Sequence, residues 1–317
     1  MFPVEVRTLL AIDRGYIAVD LFFVLSGFVL AWTYRRSFLT RPLAIAYTDF
    51  LLRRVARVLP LNAAVVIVLA AAVWSAPDLA GDNFAVAKDP WAVLANLFLV
   101  QNWGLYPSID KPAWSVSVEM AIYLAYPLLL IPAWSRRAWL PAAFAGAVGL
   151  GWLAATGRGT ISLGLPMGDF IRGFAGFFFG LLCCRLIQGR GLPTAIGRFD
   201  VFALALFWAA LIFSHNDLPA IFLCPAIVLV LAFERGFLAR ILNLDPVHYL
   251  GEISYSIYLV HYCVLGGLCL LPIASDGVFM AAAVLLTLGI SAATYHGIER
   301  PARRRIARLH SRREGKG

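Results

Sequence analysis

The sequence predicts an all-α fold: a polytopic bundle of membrane-spanning helices. Three observations lead there. The 317 residues are 61% hydrophobic and only 14% charged, where a soluble globular chain carries about 25% charged residues. Apolar runs long enough for a hydrocarbon core, which takes about 20 residues, recur from end to end. The segments between them alternate between basic and non-basic, as loops on opposite sides of a bilayer do.

The first run, GYIAVDLFFVLSGFVLAWTYRR, predicts a span over 16–33. Asp20 sits in its early part, and a carboxylate there is costly unless it pairs, faces water or does chemistry. Further apolar runs predict spans over 59–76, 113–134, 138–155, 169–187, 199–213, 218–233, 250–272 and 277–297. That makes about nine in all. WAVLANLFLVQNW, residues 91–103, is too short to cross and reads as an interfacial or re-entrant helix with Trp91 and Trp103 at the membrane boundary.

Loop charge sets the expected orientation. Arg35, Arg36, Arg41, Arg53, Arg54 and Arg57 share the first connection, and Arg136 with Arg137, Arg185 with Arg190 and Arg198, and Arg235 with Arg240 mark later ones. The tail RPARRRIARLHSRREGKG is the most basic. Intervening segments hold few cations, so the basic loops and the C-terminus are expected in the cytoplasm. An odd number of spans then leaves Arg7 and Arg14 on the far side, and one more span upstream would remove that anomaly. The expected organisation is a transmembrane domain over 1–299 followed by a basic cytoplasmic tail, 300–317. The net charge of +9 is read as loops facing anionic lipid, with no nucleic-acid partner. The five cysteines (Cys183, Cys184, Cys224, Cys263, Cys269) have no metal-ligand spacing and read as small hydrophobes.

Five segments carry groups suited to chemistry. Asp20 either orients helices or lines a polar site. In DFLLRRVARVLP, Arg53, Arg54 and Arg57 precede Pro60, with Arg53 and Arg57 four apart on one helical face. They read as a positive-inside anchor or as a site for a phosphate-bearing cosubstrate, because the guanidinium fork bonds two phosphate oxygens at once. In PAWSVSVEMAIYLAYPLL, Trp114, Ser115, Ser117 and Glu119 cluster at the start of a span, and Ser115 and Glu119 can face the same way. Glu119 one turn into a span calls for a site role. In LGEISYSIYLVHY, Ser254, Tyr258 and His261 fall along one stripe, and His261 can bind substrate or move a proton. In YHGIERPARRR, Glu299 and Arg300 read as an ion-paired boundary. No GxSxG, P-loop, GxGxxG or metal pattern occurs.

Taken in order, GYIAVDLFFVLSGFVL, DFLLRRVARVLP, WSVSVEMAIYLAYPLL, IRGFAGFFFGLL, LGEISYSIYLVHY and IERPARR resemble the acyltransferase 3 family of bacterial membrane acyltransferases. The resemblance runs from Gly15 to about Arg304. It implies roughly ten helices in the inner membrane and transfer of an acyl group, commonly acetyl from acetyl-CoA, onto a carbohydrate hydroxyl. It places the CoA phosphates at Arg53, Arg54 and Arg57, the acceptor by Glu119 with Trp114, Ser115, Ser117 and Tyr258, and Asp20 and His261 in the interior. Asp20, Glu119 and His261 are the candidate catalytic groups. The thioester already activates the acyl group, so no metal or permanently bound cofactor is implied. Members of the family usually open with another helix whose His is the favoured base. Here no His precedes His215, which points to the same missing span as the loop charges. Two rival readings stay open: a proton-coupled transporter or exporter of a small carboxylate or lipid-linked molecule, and a catalytically degenerate membrane partner.

Overall fold

A computed structural model describes residues 12–76, 84–189, 192–272 and 275–305. The described residues are 81% helical, with no strand among them. After a 3₁₀ turn, Ile12–Ile17, the helices are α1 (Ala18–Thr40), α2 (Leu43–Ser75), α3 (Pro90–Leu97), α4 (Ala113–Trp134), α5 (Trp139–Thr156) and α6 (Pro166–Gln188). Then come α7 (Asp200–Phe213), α8 (Leu218–Leu231), α9 (Phe237–Leu242), α10 (Asp245–Glu252), α11 (Ser254–Leu268) and α12 (Asp276–Thr294). A π-turn, Tyr295–Glu299, carries α12 onward.

Among the described residues seven helical segments are long and apolar enough to cross a membrane, against about nine expected spans. Two of the runs are realised as shorter helices. The run at 218–233 forms α8, of 14 residues, about 21 Å of rise against a core of about 30 Å. The run at 250–272 breaks at Ile253 into the end of α10 and the 15-residue α11, just after Gly251, whose backbone freedom weakens a helix. One segment is longer than expected. The span expected over 59–76 is part of α2, which starts at Leu43 and passes through Pro60. Proline costs that helix one hydrogen bond, the one the Ala56 carbonyl would accept, without ending it. The basic segment around Arg53–Arg57 is therefore helical. The short helix expected within 91–103 is α3, capped by Asp89, whose side chain accepts from the Trp91 amide at 2.9 Å. Arg7, Arg190, and the tail from Ile306 lie outside the described residues.

The chain divides into two compact units, each assembled from two stretches of sequence. The first takes Met1–Arg41 and Leu124–His248, the second Pro42–Tyr123 and Tyr249–Gly317. In the first unit α1 packs closely along α6. A Cβ added at Gly27 would stand 2.0 Å from the Phe177 carbonyl oxygen, and one at Gly180 would stand 2.0 Å from that of Val24. Small residues permit this backbone approach, which is how helices gain dispersion energy where lipid offers no hydrophobic drive. Ile17, Val24, Leu150, Leu153, Phe207, Leu211 and Ile221 form the core of that unit.

In the second unit α2 packs against α3, and α11 against α12. Its apolar clusters are Val66, Ala70, Val73, Val93 and Ile109, and separately Val260, Val264, Leu268 and Ala283. A polar seam accompanies them. Asn62 donates to the Asn96 carbonyl at 2.8 Å, and Asn96 accepts from the Ile109 amide at 2.9 Å. These bonds tie α2 to α3, and the irregular segment after α3 back onto α3.

Candidate functional site

The candidate residues divide between the two units. Asp20 belongs to the first unit and is fully committed there. Arg172 of α6 grips it bidentately, Nη2 to Oδ2 at 2.9 Å and Nε to Oδ1 at 3.2 Å. Asp20 is 2% exposed and Arg172 1%. The same guanidinium reaches the Tyr16 carbonyl at 3.4 Å and Asp169 at 3.9 Å. Of the two roles open to Asp20, this arrangement supplies helix pairing. Sequence reasoning quoted the Arg172 segment without naming that arginine as the partner. Arg14, the cation that looked misplaced, is matched as well: its Nε lies 3.8 Å from Asp217 Oδ1, and Asp217 also accepts from Tyr16 at 2.7 Å and from the Ile161 amide at 3.0 Å. A separate cavity of about 430 Å³ in this unit is lined by Arg158, His215 and Asn216.

All the remaining candidates fall in the second unit. Glu119 is 4% exposed on the first part of α4 and accepts a hydrogen bond from Tyr123, one turn on. Arg54 and Arg57 of α2 lie within electrostatic reach of Tyr123. Tyr255 of α11 senses Glu119, Glu299, Arg57 and Asp110 together, and its hydroxyl donates to the Val58 carbonyl at 2.6 Å. Glu299 in the π-turn accepts from Ser256 at 3.0 Å and pairs with Arg303. The field of Arg57 and Arg54 reaches Arg303. Three acidic side chains, three guanidiniums and two tyrosines therefore share one region of one unit. Of the three arginines in DFLLRRVARVLP, Arg54 and Arg57 turn towards this cluster and are half-buried, while Arg53 is exposed. The pair brought together is thus three apart, where spacing alone had suggested Arg53 with Arg57. Arg300 is exposed, and Arg303 takes the role expected of it beside Glu299.

The serines take different parts. Ser115 meets Tyr258 at 2.8 Å, and the Tyr258 hydroxyl reaches the Pro112 carbonyl at 2.9 Å. Ser117 accepts from the Asn102 amide at 3.3 Å, and its carbonyl accepts from the Trp103 indole at 3.2 Å. Ser117 therefore shapes the turn before α4. His261 is half-buried, 6.0 Å from Tyr258 between ring centroids, with Nδ1 3.2 Å from the Ile257 carbonyl. If that nitrogen carries the proton, Nε2 is left as the basic position. Trp114 is half-buried at the same helix start. Among the described residues no group of three or more His, Cys, Asp or Glu is placed to hold a metal ion.

Sequence reasoning missed Tyr123, Arg303 and Asp110. Tyr123 and Arg303 sit inside motifs that were quoted for other residues. Asp110, beside the exposed Lys111, reads in sequence as part of a solvated turn, yet it is wholly buried.

Comparison with known proteins defines the class: an enzyme of acyl transfer, built as a multi-pass membrane helical bundle. A family model described as an acyltransferase domain matches residues 3–296, and the chain belongs to that acyltransferase 3 family. It is 28% identical over 281 residues to acyltransferase MdmB of Streptomyces mycarofaciens, covering 79% of this chain and 68% of that protein. It is 25% identical over 345 residues to the putative peptidoglycan O-acetyltransferase YrhL of Bacillus subtilis, covering 95% of this chain and 52% of that one. It is 29% identical over 309 residues to the exopolysaccharide production protein ExoZ of Rhizobium meliloti, covering 92% and 90%. The chain thus spans about half the length of the peptidoglycan relative. No solved structure matches it.

Proposed function

We propose that this chain transfers an acyl group, acetyl in the simplest case, from acyl-CoA to a hydroxyl of a carbohydrate or lipid-linked glycan. Its setting is the bacterial inner membrane with the C-terminal tail in the cytoplasm. The reading is supported by the relatives named for peptidoglycan and exopolysaccharide, and by the basic connections expected on the cytoplasmic side. The observation that carries it is the meeting of Arg54, Arg57 and Arg303 with Glu119, Tyr123 and Tyr255 in one unit. Arginine forks suit the phosphates of CoA, and a buried carboxylate beside them suits proton transfer.

In the proposed reaction the acceptor oxygen attacks the thioester carbonyl carbon as its proton passes to Glu119. The C–S bond then breaks, and the proton moves from Glu119 to the departing CoA sulfur. The products are the O-acyl ester and free CoA thiol. His261, through its second nitrogen, is the other base within this unit. Tyr123 holds the Glu119 carboxylate in place, and the arginines stabilise negative charge as it develops on the thioester oxygen. Asp20 is assigned to helix pairing in this scheme.

The test uses the full chain in lipid nanodiscs with radiolabelled acetyl-CoA and oligosaccharide acceptors. The expected result is acceptor-dependent thiol release, with label on the carbohydrate as a base-labile ester. A folded preparation that releases no thiol with any acceptor, yet drives counterflow of a small carboxylate in vesicles, would replace this reading with the transporter.

A further inference from the structure

Three buried side chains in and around the segment between α3 and α4 end in oxygens with no partner among the described residues. They are Asn62 Oδ1, Gln101 Oε1 and both carboxylate oxygens of Asp110, none with a hydrogen bond among the described residues. Each of the three residues is 0% exposed. They are gathered by two shared anchors. Asn96 receives the Asn62 side-chain amide on its carbonyl and the Ile109 amide on its side chain. Ala113 donates its N–H to the Asp110 carbonyl at 2.9 Å and accepts from Gln101 at 3.3 Å. Asn96 also donates to the Pro107 carbonyl at 3.2 Å, which pins the segment from both ends.

The orientation of both amides is fixed, because the NH₂ groups of Asn62 and Gln101 already face backbone carbonyls, which only accept. What remains is a set of acceptors. Leaving buried acceptors unmatched costs a fold free energy, and here the held segment prevents them from closing on the backbone. The segment also keeps a strained residue, Leu99, at φ 58°, a conformation that branched side chains rarely adopt.

We propose that Asp110, Asn62 and Gln101 form the subsite that holds the acceptor by its hydroxyl groups. This rests on the acyl-transfer reading and deepens it. Asp110 and Glu119 both act electrostatically on Tyr255, which places the proposed subsite in the same unit as the proposed base. Tyr255 and Cys263 of α11 lie within electrostatic reach of Asp110, and Lys111, next to it in the chain, is directed over the Tyr262 ring at 5.8 Å. Burial pushes the Asp110 carboxyl up to about 8, so near neutral pH it is mainly protonated and offers one donor and one acceptor. A hydroxyl complements both at once. An ammonium has only donors, and an uncharged acid does not draw a cation.

The experiment compares wild type with Asp110→Asn and Asp110→Ala in nanodiscs, by two readouts. The first is the infrared carboxylic C=O band of Asp110, identified by its loss in Asp110→Asn and followed on adding chitotriose, maltotriose or an isomalto-oligosaccharide. The second is steady-state transfer with separate KM values. The expected result is a saturable band shift with one of these sugars. With it, the acceptor KM rises on the order of tenfold in Asp110→Asn, the scale of one lost hydrogen bond, while the acyl-CoA KM holds. A band that responds only to exchange into heavy water, with no sugar moving it, assigns the acceptors to a resident water and overturns the proposal. A rise in acyl-CoA KM with the acceptor KM unmoved overturns it too. A saturable sugar shift in a wild-type chain that transfers no acyl group would uphold the binding subsite and remove only the reaction. Asp110→Asn keeps the shape of the residue, so misfolding of Asp110→Ala does not decide the matter.

Discussion

Each unit buries an acid near the start of an apolar helix, and the two acids are treated in opposite ways. Asp20 in the first unit receives two short bonds from Arg172 and sits between helices so close that Gly27 and Gly180 have no room for a side chain. Glu119 in the second unit is held by a tyrosine and shares its surroundings with arginines and another carboxylate. The first arrangement centres on one bidentate ion pair. The second lies in a unit that also holds side-chain oxygens with no partner among the described residues. An intramembrane acid is therefore not a site by virtue of its cost alone, and what separates structure from chemistry is whether the partners use up the charge.

The largest effect expected from this contrast is at Glu119. Glu119→Gln keeps the hydrogen-bonding shape but removes the base, and transfer should fall by about 10²- to 10⁴-fold with melting temperature little changed. The measurement is single-turnover acyl transfer on nanodisc protein, with thermal unfolding as the control. A variant that keeps full rate gives the proton to another group, with His261 Nε2 next in line.

The first unit should respond in stability instead. Arg172→Met or Asp20→Ala strands one buried charge, a loss of about 3–5 kcal/mol, read as lower yield of folded protein and a lower melting temperature in detergent. The double variant Asp20→Leu with Arg172→Met should recover most of that, since an apolar pair of similar volume is often no worse than a buried ion pair. Activity per folded molecule then decides the role of Asp20. Retention leaves it structural, and a loss in the recovered double variant would return it to the chemistry. Gly180→Ala probes the same contact with one added carbon. Its Cβ would meet the Val24 carbonyl at 2.0 Å, and overpacking of that kind costs about 1–3 kcal/mol.

The contrast also shows which features were legible in the sequence. Asp20, Glu119 and the arginine segment stood out because charge is rare in apolar runs, and helix spacing placed Ser115 and Tyr258 on usable faces. What the sequence could not reveal was partnership across distance. Arg172 lies 152 residues from Asp20, and no local rule joins them. The choice of Arg54 over Arg53 depends on how α2 is rotated, which follows from packing along its whole length. Asp110 was hidden for a different reason. An acid beside a lysine in a Pro- and Ser-containing stretch looks solvated, and only the amides Asn62, Asn96 and Gln101, set in apolar surroundings, hinted that the stretch folds inward. The number of long apolar helices differs from the expected spans where hydropathy does not sense a backbone break, as at Ile253.

Asp110 adds a pH signature to the second unit. Its folded-state value of about 8 lies above its ordinary 3.8, so the folded chain binds the proton more tightly than the unfolded one. The stability linked to that proton is fully present below 3.8, declines as pH rises through the window, and is gone above about 8. Melting temperature followed across that window should fall with rising pH in wild type, and the slope should flatten in Asp110→Asn. An unchanged slope would mean that Asp110 is already ionised in the fold and would weaken its match to a hydroxyl.

The smallest effect expected is the one that most sharply divides two readings of a single helix. Arg53 and Arg57 are equivalent by spacing, but Arg53 is exposed while Arg57 contributes to the field at Tyr123, Tyr255 and Arg303. Arg57→Ala should raise the KM for acyl-CoA on the order of tenfold, since a guanidinium–phosphate contact is a charge-assisted bond. Arg53→Ala should leave both KM values within about twofold, as exposed charges contribute little. If the basic segment served only to anchor the loop on its side of the membrane, the two substitutions would act alike, and each would alter insertion or yield without touching either KM. A difference confined to the acyl-CoA KM, present at Arg57 and absent at Arg53, is what a phosphate site predicts and a positive-inside anchor does not.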